Sequence, residues 1–277
     1  MFTTLLHTPV LDAAARQRIG AAISGELESC GGFFRLRHPE AVDATTLAAL
    51  RSDLPFDINV LSADFDPARV RLLVTDMDST LITIECIDEI ADFAGRKAEV
   101  AAVTEAAMRG EIDFPTSLRR RVAALEGLDE AVLLRVYEER LHLNPGAEAM
   151  LAGLRAHGVS VGLVSGGFTF FTERLRQRLG LDAALANTLE VKDGRLTGCV
   201  LGDIVDADGK ARFLKELCER MGITSAQVIA LGDGANDLKM LHAAGLGVAY
   251  HAKPKVQTQA RAVLNHSGLD AVLHFLE

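Results

Sequence analysis

The strongest constraint on the fold is a recurring unit in which a short apolar run ends on a polar residue and gives way to glycine or a helical pattern. It occurs at residues 70–75 before Asp76, at 159–164 before Ser165, and at 228–231 before Asp233. Short, near-continuous apolar runs are the pattern of buried parallel strands. Helical patterns lie between them, including residues 145–157 closed by Gly158 and 168–179 closed by Gly180. The alternation predicts an α/β fold with a doubly wound parallel sheet. Ligands bind such sheets beyond the carboxyl ends of the strands, so Asp76, Ser165 and Asp233 are expected to converge on one crevice. Residues 191–196 place Asp193-Gly194 between β-compatible residues. That is the signal of a tight hairpin, expected here as an antiparallel flap on the sheet edge.

Two regions break the alternation. Residues 83–143 read as helix after helix without a strand, too much for an ordinary crossover, and are expected to form a helical cap over the crevice. Residues 1–67 combine a strand at 3–7, a helix at 11–24, an extended piece near 33–36, a helix near 45–50 and a strand near 58–61. The expected organisation is a small α+β N-terminal domain at 1–67 and a core domain at 68–277, with the cap at 83–143.

Composition narrows the function classes. A chain of 277 residues with 49% apolar residues can bury a sizeable core. Its formal net charge of -9 lacks the basic footprint of a nucleic-acid binder. The start has no basic leader and no uncharged apolar stretch reaches membrane-spanning length, so a soluble protein without a membrane partner is expected. Cys30, Cys86, Cys199 and Cys218 are widely spaced, with no C-x-x-C pair. Free thiols in a reducing cytoplasm are the expectation.

The sharpest chemical signal is Asp76-Met77-Asp78-Ser79-Thr80, directly after a strand. Two carboxylates two residues apart at a sheet mouth are costly unless a cation neutralises them, although an Asp can also simply cap a helix. Gly232-Asp233-Gly234-Ala235-Asn236-Asp237 adds two acids on a glycine backbone that can approach a ligand closely. Mg²⁺, a hard cation with oxygen ligands, suits such a set and accepts a substrate phosphate in its shell. Ser165-Gly166-Gly167 could donate to phosphate oxygens at a helix start, or be a plain turn. The glycine that a serine-hydrolase elbow needs two residues before its nucleophile is absent, since Leu163 stands there, so Ser165 is read as a binding group. Lys210 opens a helical pattern; an exposed lysine is the commoner reading, and a phosphate-binding one the alternative. No P-loop and no catalytically spaced histidine pair is present, which leaves acid–base work to carboxylates.

In order, these four segments resemble the motifs of the haloacid dehalogenase superfamily of phosphatases. The longer strings DMDSTLI, CIDEIADFAG, LVSGGF, VKDGRLTG and GDGANDL are similar to its branch acting on O-phosphoserine, over roughly residues 70–275. The resemblance implies a cytoplasmic enzyme that releases serine and inorganic phosphate at the last step of serine biosynthesis. Asp76 would be the nucleophile that becomes an aspartyl phosphate, and Asp78 the general acid, then base. Mg²⁺ would be held by Asp76, Asp233 and the backbone carbonyl of Asp78, with Asp237 orienting from nearby. Ser165, Gly166, Lys210 and Asn236 would bind substrate. In the cap, Glu85 would meet the ammonium, Arg121 the carboxylate, and Met108 and Phe114 would form apolar walls. Arg121 differs from Arg119 and Arg120 in facing Leu118, Ala124 and Leu125 at helical spacing. Self-association into a homo-oligomer stays open. The rival readings are hydrolysis of another small phosphomonoester, phosphoryl transfer to an alcohol, and a non-catalytic amino-acid-binding regulator.

Overall fold

The computed structural model describes residues 2–277, apart from the side chain of Met108. The chain begins with β1 (Phe2–His7), α1 (Ala13–Ala22), β2 (Glu26–Ser29), β3 (Phe34–His38), α2 (Ala44–Asp53) and β4 (Asp57–Leu61). The strands form an antiparallel sheet in the order β2-β3-β1-β4. This is a β-α-β-β-α-β ferredoxin-like arrangement. Asp12 and Asp43 cap the two helices, accepting from Ala15 and from Thr45 and Thr46, which is why α1 is shorter than its apolar pattern. Leu6, Leu36 and Ile58 on the sheet pack with Ile19 and Leu50 of the helices. Strand β2 has no sequence signal, because Glu26 and Glu28 are exposed and only Leu27 is apolar.

The second sheet is built from β5 (Leu72–Thr75), β6 (Ser160–Phe168), β7 (Ala183–Lys192), β8 (Arg195–Leu201), β9 (Val228–Gly232), β10 (Leu246–Tyr250) and β11 (Ala262–Leu264). Its order is β11-β10-β9-β5-β6-β7-β8. All neighbours are parallel except β7 and β8. The chain leaves β5 toward β6 on one side and later returns to β9 on the other. Strand β5 therefore lies at the topological switch point, where a ligand crevice opens. One apolar cluster covers each face, with Leu73, Leu163 and Ile229 on one side and Val74, Val164 and Ala230 on the other.

Between β5 and β6 come α3 (Cys86–Phe93), α4 (Lys97–Met108), α5 (Phe114–Ala123) and α6 (Ala131–Glu139), then α7 (Ala147–Ala156) against the sheet. The helices α3–α6 leave and rejoin through a narrow neck, where Ile82 bridges Leu143. The β7–β8 hairpin turns at Asp193 and Gly194, with φ of 51° and 73°; two positive values are what a tight hairpin turn of this hand requires. It braces the cap: the Gly127 amide donates to the Leu196 carbonyl at 2.8 Å, and the Leu196 amide to the Leu128 carbonyl at 2.8 Å. Helix α8 (Thr169–Leu179) joins β6 to β7, and beyond β8 come α9 (Ala207–Met221), α10 (Leu238–Ala243) and α11 (Pro254–Gln257). Phe168, expected to open α8, instead ends β6, since it pairs with Asn187 of β7. The four cysteines are free.

Candidate active site

Asp76 follows β5 immediately, and its amide donates to the Leu231 carbonyl at 3.0 Å, locking it beside β9. Its Oδ1 accepts from the Met77 amide at 2.8 Å and pairs with Lys210 Nζ at 2.7 Å. Lys210 Nζ also reaches Asp237 Oδ1 at 2.6 Å. Lys210 is only 1% exposed and Asp237 is fully buried. Burial alone would discharge the ammonium, but Asp237 and Asp76 outweigh it and hold its pKa above the ordinary lysine range.

Three carboxylates, those of Asp76, Asp233 and Asp237, each offer an oxygen within 4.8 Å of the others. Burial and then the charge of Asp237 raise the Asp76 pKa well above the ordinary range, against the pull of Lys210. The same two causes raise Asp233 to about 6. One ammonium is thus insufficient for the local negative charge, and the oxygen-only donor set fits a hard divalent cation. Asp237 Oδ1 is engaged by Lys210 and its Oδ2 by the Gly234 amide at 2.9 Å. Thr80 Oγ1 donates to Asp233 Oδ1 at 3.2 Å.

The Asp78 carboxylate stands apart from this cluster. Its Oδ1 accepts from the Cys86 amide at 3.0 Å and its Oδ2 from Ser165 Oγ at 3.2 Å. Burial raises its pKa despite those donors. The Asp78 carboxylate is not one of the three clustered acids. Ser79, next along, has φ of 56°, a left-handed conformation that costs a non-glycine residue and turns the chain back toward the cap. Its hydroxyl donates to Glu85 Oε1 at 2.9 Å. Glu85 keeps solvent access, which tempers its shift, yet enclosure and the Asp78 charge raise its carboxyl to about 8.

Between cap and sheet lies a cavity of about 930 Å³ bordered by Asp76, Asp78, Asp233 and Asn236 from the sheet side, and by Glu85, Phe114 and Arg121 from the cap side. Gly166 and Gly167 also border it, where a Cβ on Gly167 would come 2.6 Å from Asp78 Oδ2. Ser165, Lys210 and Asp237 lie behind this wall. Burial lowers the Arg121 pKa, against the pull of Asp88, Glu85 and Asp78. Its Nε is buried without a hydrogen-bond partner among the described residues. The side chain of Met108 lies outside the described residues, so its expected wall is not placed. Sequence reasoning missed the Cys86 amide, the Thr80 hydroxyl and Lys253, whose amide donates to the Asp233 carbonyl at 3.2 Å. Thr80 and Cys86 lie within recognised strings, but Cys86 and Lys253 act through main-chain N–H groups, which side-chain patterns do not carry.

This arrangement, an acid-lined crevice at the switch point of a doubly wound sheet, defines a class. The chain belongs to the haloacid dehalogenase-like hydrolase family, whose model matches residues 73–242. It is 53% identical over 225 residues to a phosphoserine phosphatase from Polaromonas, covering 79% of this chain and 95% of the relative. It is 32% identical to a family hydrolase of known structure from Salmonella enterica serovar Typhi, with a TM-score of 0.91 over 100% of this chain and 98% of the other. It is 38% identical to a phosphoserine phosphatase whose structure holds a phospho-aspartyl intermediate analogue, with a TM-score of 0.71 over 75% of this chain and 99% of that one.

Proposed function

We propose that the chain hydrolyses O-phosphoserine to serine and inorganic phosphate through a phosphorylated Asp76, with residues 68–277 carrying the chemistry and 83–143 acting as a cap. The observation that carries the substrate is Arg121: a guanidinium on the wall of the cavity that holds Asp76, with a buried nitrogen that has no hydrogen-bond partner among the described residues. A carboxylate is the group that satisfies it. Glu85, on the same side of the cavity, suits the substrate ammonium. The named relatives support the same substrate.

Asp76 attacks phosphorus in line, the bond to the serine oxygen breaks, and Asp78 gives that oxygen its proton. Asp78, now a carboxylate, takes a proton from water as the water oxygen attacks the aspartyl phosphate, releasing phosphate and restoring Asp76. The raised pKa of Asp78 suits the acid role. Ser165, the Gly166 amide, Asn236 and Lys210 hold the phosphoryl oxygens as charge spreads over them. Asp76, Asp233 and the Asp78 carbonyl would hold Mg²⁺, which when bound neutralises charge between the nucleophile and the phosphate dianion. No helix among the described residues is long and apolar enough to cross a membrane; a cytoplasmic place in serine formation accords with the substrate.

The test is phosphate release from O-phosphoserine and O-phosphoethanolamine, with Mg²⁺ and with chelator, by wild type and Arg121→Ala. The substitution is expected to lower kcat/KM for phosphoserine by about 30- to 1000-fold, equivalent to about 2–4 kcal/mol, and to leave phosphoethanolamine nearly unchanged. Equal losses for both would make the arginine a structural part of the cap.

A further inference from the structure

The large sheet has an irregularity at the site, and a residue with no part in the scheme above fills it. Strands β6 and β7 pair through Val164↔Leu185 and next through Phe168↔Asn187, so four steps along β6 face two along β7. The surplus segment, Ser165-Gly166-Gly167, is pushed out of the ladder as a bulge, the device by which sheets re-aim side chains at active sites. Asn187 lies behind it and is 1% exposed. Its Nδ2 donates to the Gly166 carbonyl at 2.8 Å, and its Oδ1 accepts from the Val205 amide at 2.8 Å. Val205 directly precedes Asp206, whose Oδ1 caps α9 at the Gly209 amide, and Lys210 is the next residue of that helix.

We infer that Asn187 is a positioning residue for phosphoryl transfer: its carboxamide ties the 165–167 bulge to the start of α9, fixing the spacing of Ser165, Gly166 and Lys210. The inference rests on the phosphomonoester reading of the site. The peptide joining Gly166 to Gly167 is held at both ends, its carbonyl by Asn187 and its N–H by Ser165 Oγ at 2.8 Å. Since Ser165 Oγ accepts there, its one proton is left free to donate, here to Asp78 Oδ2. One run of hydrogen bonds therefore leads from Asn187 through a flexible glycine peptide to the general acid. A donor and an acceptor on one short side chain are needed to bridge a carbonyl and an N–H. Aspartate would turn an acceptor toward the Gly166 carbonyl, and leucine would leave both partners unpaired.

The experiment compares full-length wild type, Asn187→Leu and Asn187→Asp in Mg²⁺. Inorganic phosphate binding is measured by titration calorimetry, and kcat and KM are measured for O-phosphoserine and O-phosphoethanolamine. The expected result is a Kd for phosphate weakened about tenfold or more and a kcat lowered about 10- to 100-fold. The factor should be the same for both substrates, because the phosphoryl group is what they share. A variant with a lowered Tm but wild-type phosphate Kd and kcat per folded molecule overturns the inference. If Asn187→Leu does not fold, Asn187→Asp, which keeps the acceptor for Val205, decides; failure of both to fold also overturns it, the residue then serving the fold. A wild type that binds phosphate but releases none from phosphoserine refutes only the substrate, and the phosphate titration of the variants still tests Asn187.

Discussion

Lys210 departs furthest from what its residue type suggests. A long cation that usually lies in solvent is here enclosed between Asp76 and Asp237. Taking an ammonium out of water costs several kcal/mol unless opposite charges replace its hydration, and two carboxylates do so here. The two carboxylates keep the buried ammonium charged, while Lys210 in turn only partly offsets the burial and the Asp237 charge that raise the Asp76 carboxyl. Asp76→Asn removes the nucleophile and one of the lysine's partners. Phosphate release should fall by about 10⁴-fold or more, with circular dichroism unchanged; a rate within tenfold of wild type would remove Asp76 as nucleophile. The acids and Ser165 were legible in the sequence because each sits at a strand end within a few residues of its partner motif. The burial of Lys210 was not legible, since it is decided by carboxylates that follow β5 and β9, far from it in the chain. Arg121 is intermediate: helical spacing tells it from Arg119 and Arg120, but only the assembled cap shows its Nε without a partner among the described residues.

Elements place these residues by small, specific joins. Where the cap leaves the sheet, the Asn144 amide donates to the Leu81 carbonyl at 3.0 Å. Its Nδ2 donates to the carbonyls of Thr80 at 2.8 Å and Ile82 at 3.1 Å. Thr80 in turn holds Asp233, so the neck and the acid cluster share a residue. Asn144→Ala would strand two carbonyls and should cost about 1–3 kcal/mol of stability, read as a lower urea midpoint at constant slope. A midpoint equal to wild type would show that water replaces the clasp at no cost. The strands that carry chemistry announce themselves because they are apolar on both faces. Strands β2, β10 and β11 do not: the first is polar and exposed on an edge, the second carries Gly247 within its run, and the last has three residues. Their places are set by pairing, which sequence periodicity cannot encode.

At the scale of the molecule, the small sheet is joined to the large one through buried polar groups. Asn59 Oδ1 accepts from the Val263 amide at 2.7 Å and from Arg51 Nη2 at 2.9 Å, which fixes its amide orientation. Its Nδ2 then donates to the Val263 carbonyl at 2.9 Å and to His7 Nε2 at 3.1 Å. His7 Nε2 must therefore be unprotonated, and its proton sits on Nδ1, 3.0 Å from His274 Nδ1. Asp57 accepts from the amides of Asn265, His266 and Ser267. Burial, then His274, lowers the His7 pKa from 6.5 to about 3. The unfolded chain thus binds the extra proton between those values, and stability should fall as pH drops from about 6.5 toward 3. The slope from this residue is about 1.4 kcal/mol per pH unit. Replacing His7 with glutamine should flatten that part of a Tm-against-pH curve; an unaltered slope would assign the acid sensitivity elsewhere. The join also finishes the large sheet. Strand β11 is its last strand, and at Val263 the Asn59 carboxamide stands where a further strand's peptide would otherwise bond. An uncovered strand edge is a template for another chain. A chain beginning at Asp66 would keep every residue proposed for the chemistry yet bare that template. It should remain active when dilute and self-associate as concentration rises, which light scattering would register; a truncated chain that stayed monomeric would show that Asn59 is not the seal.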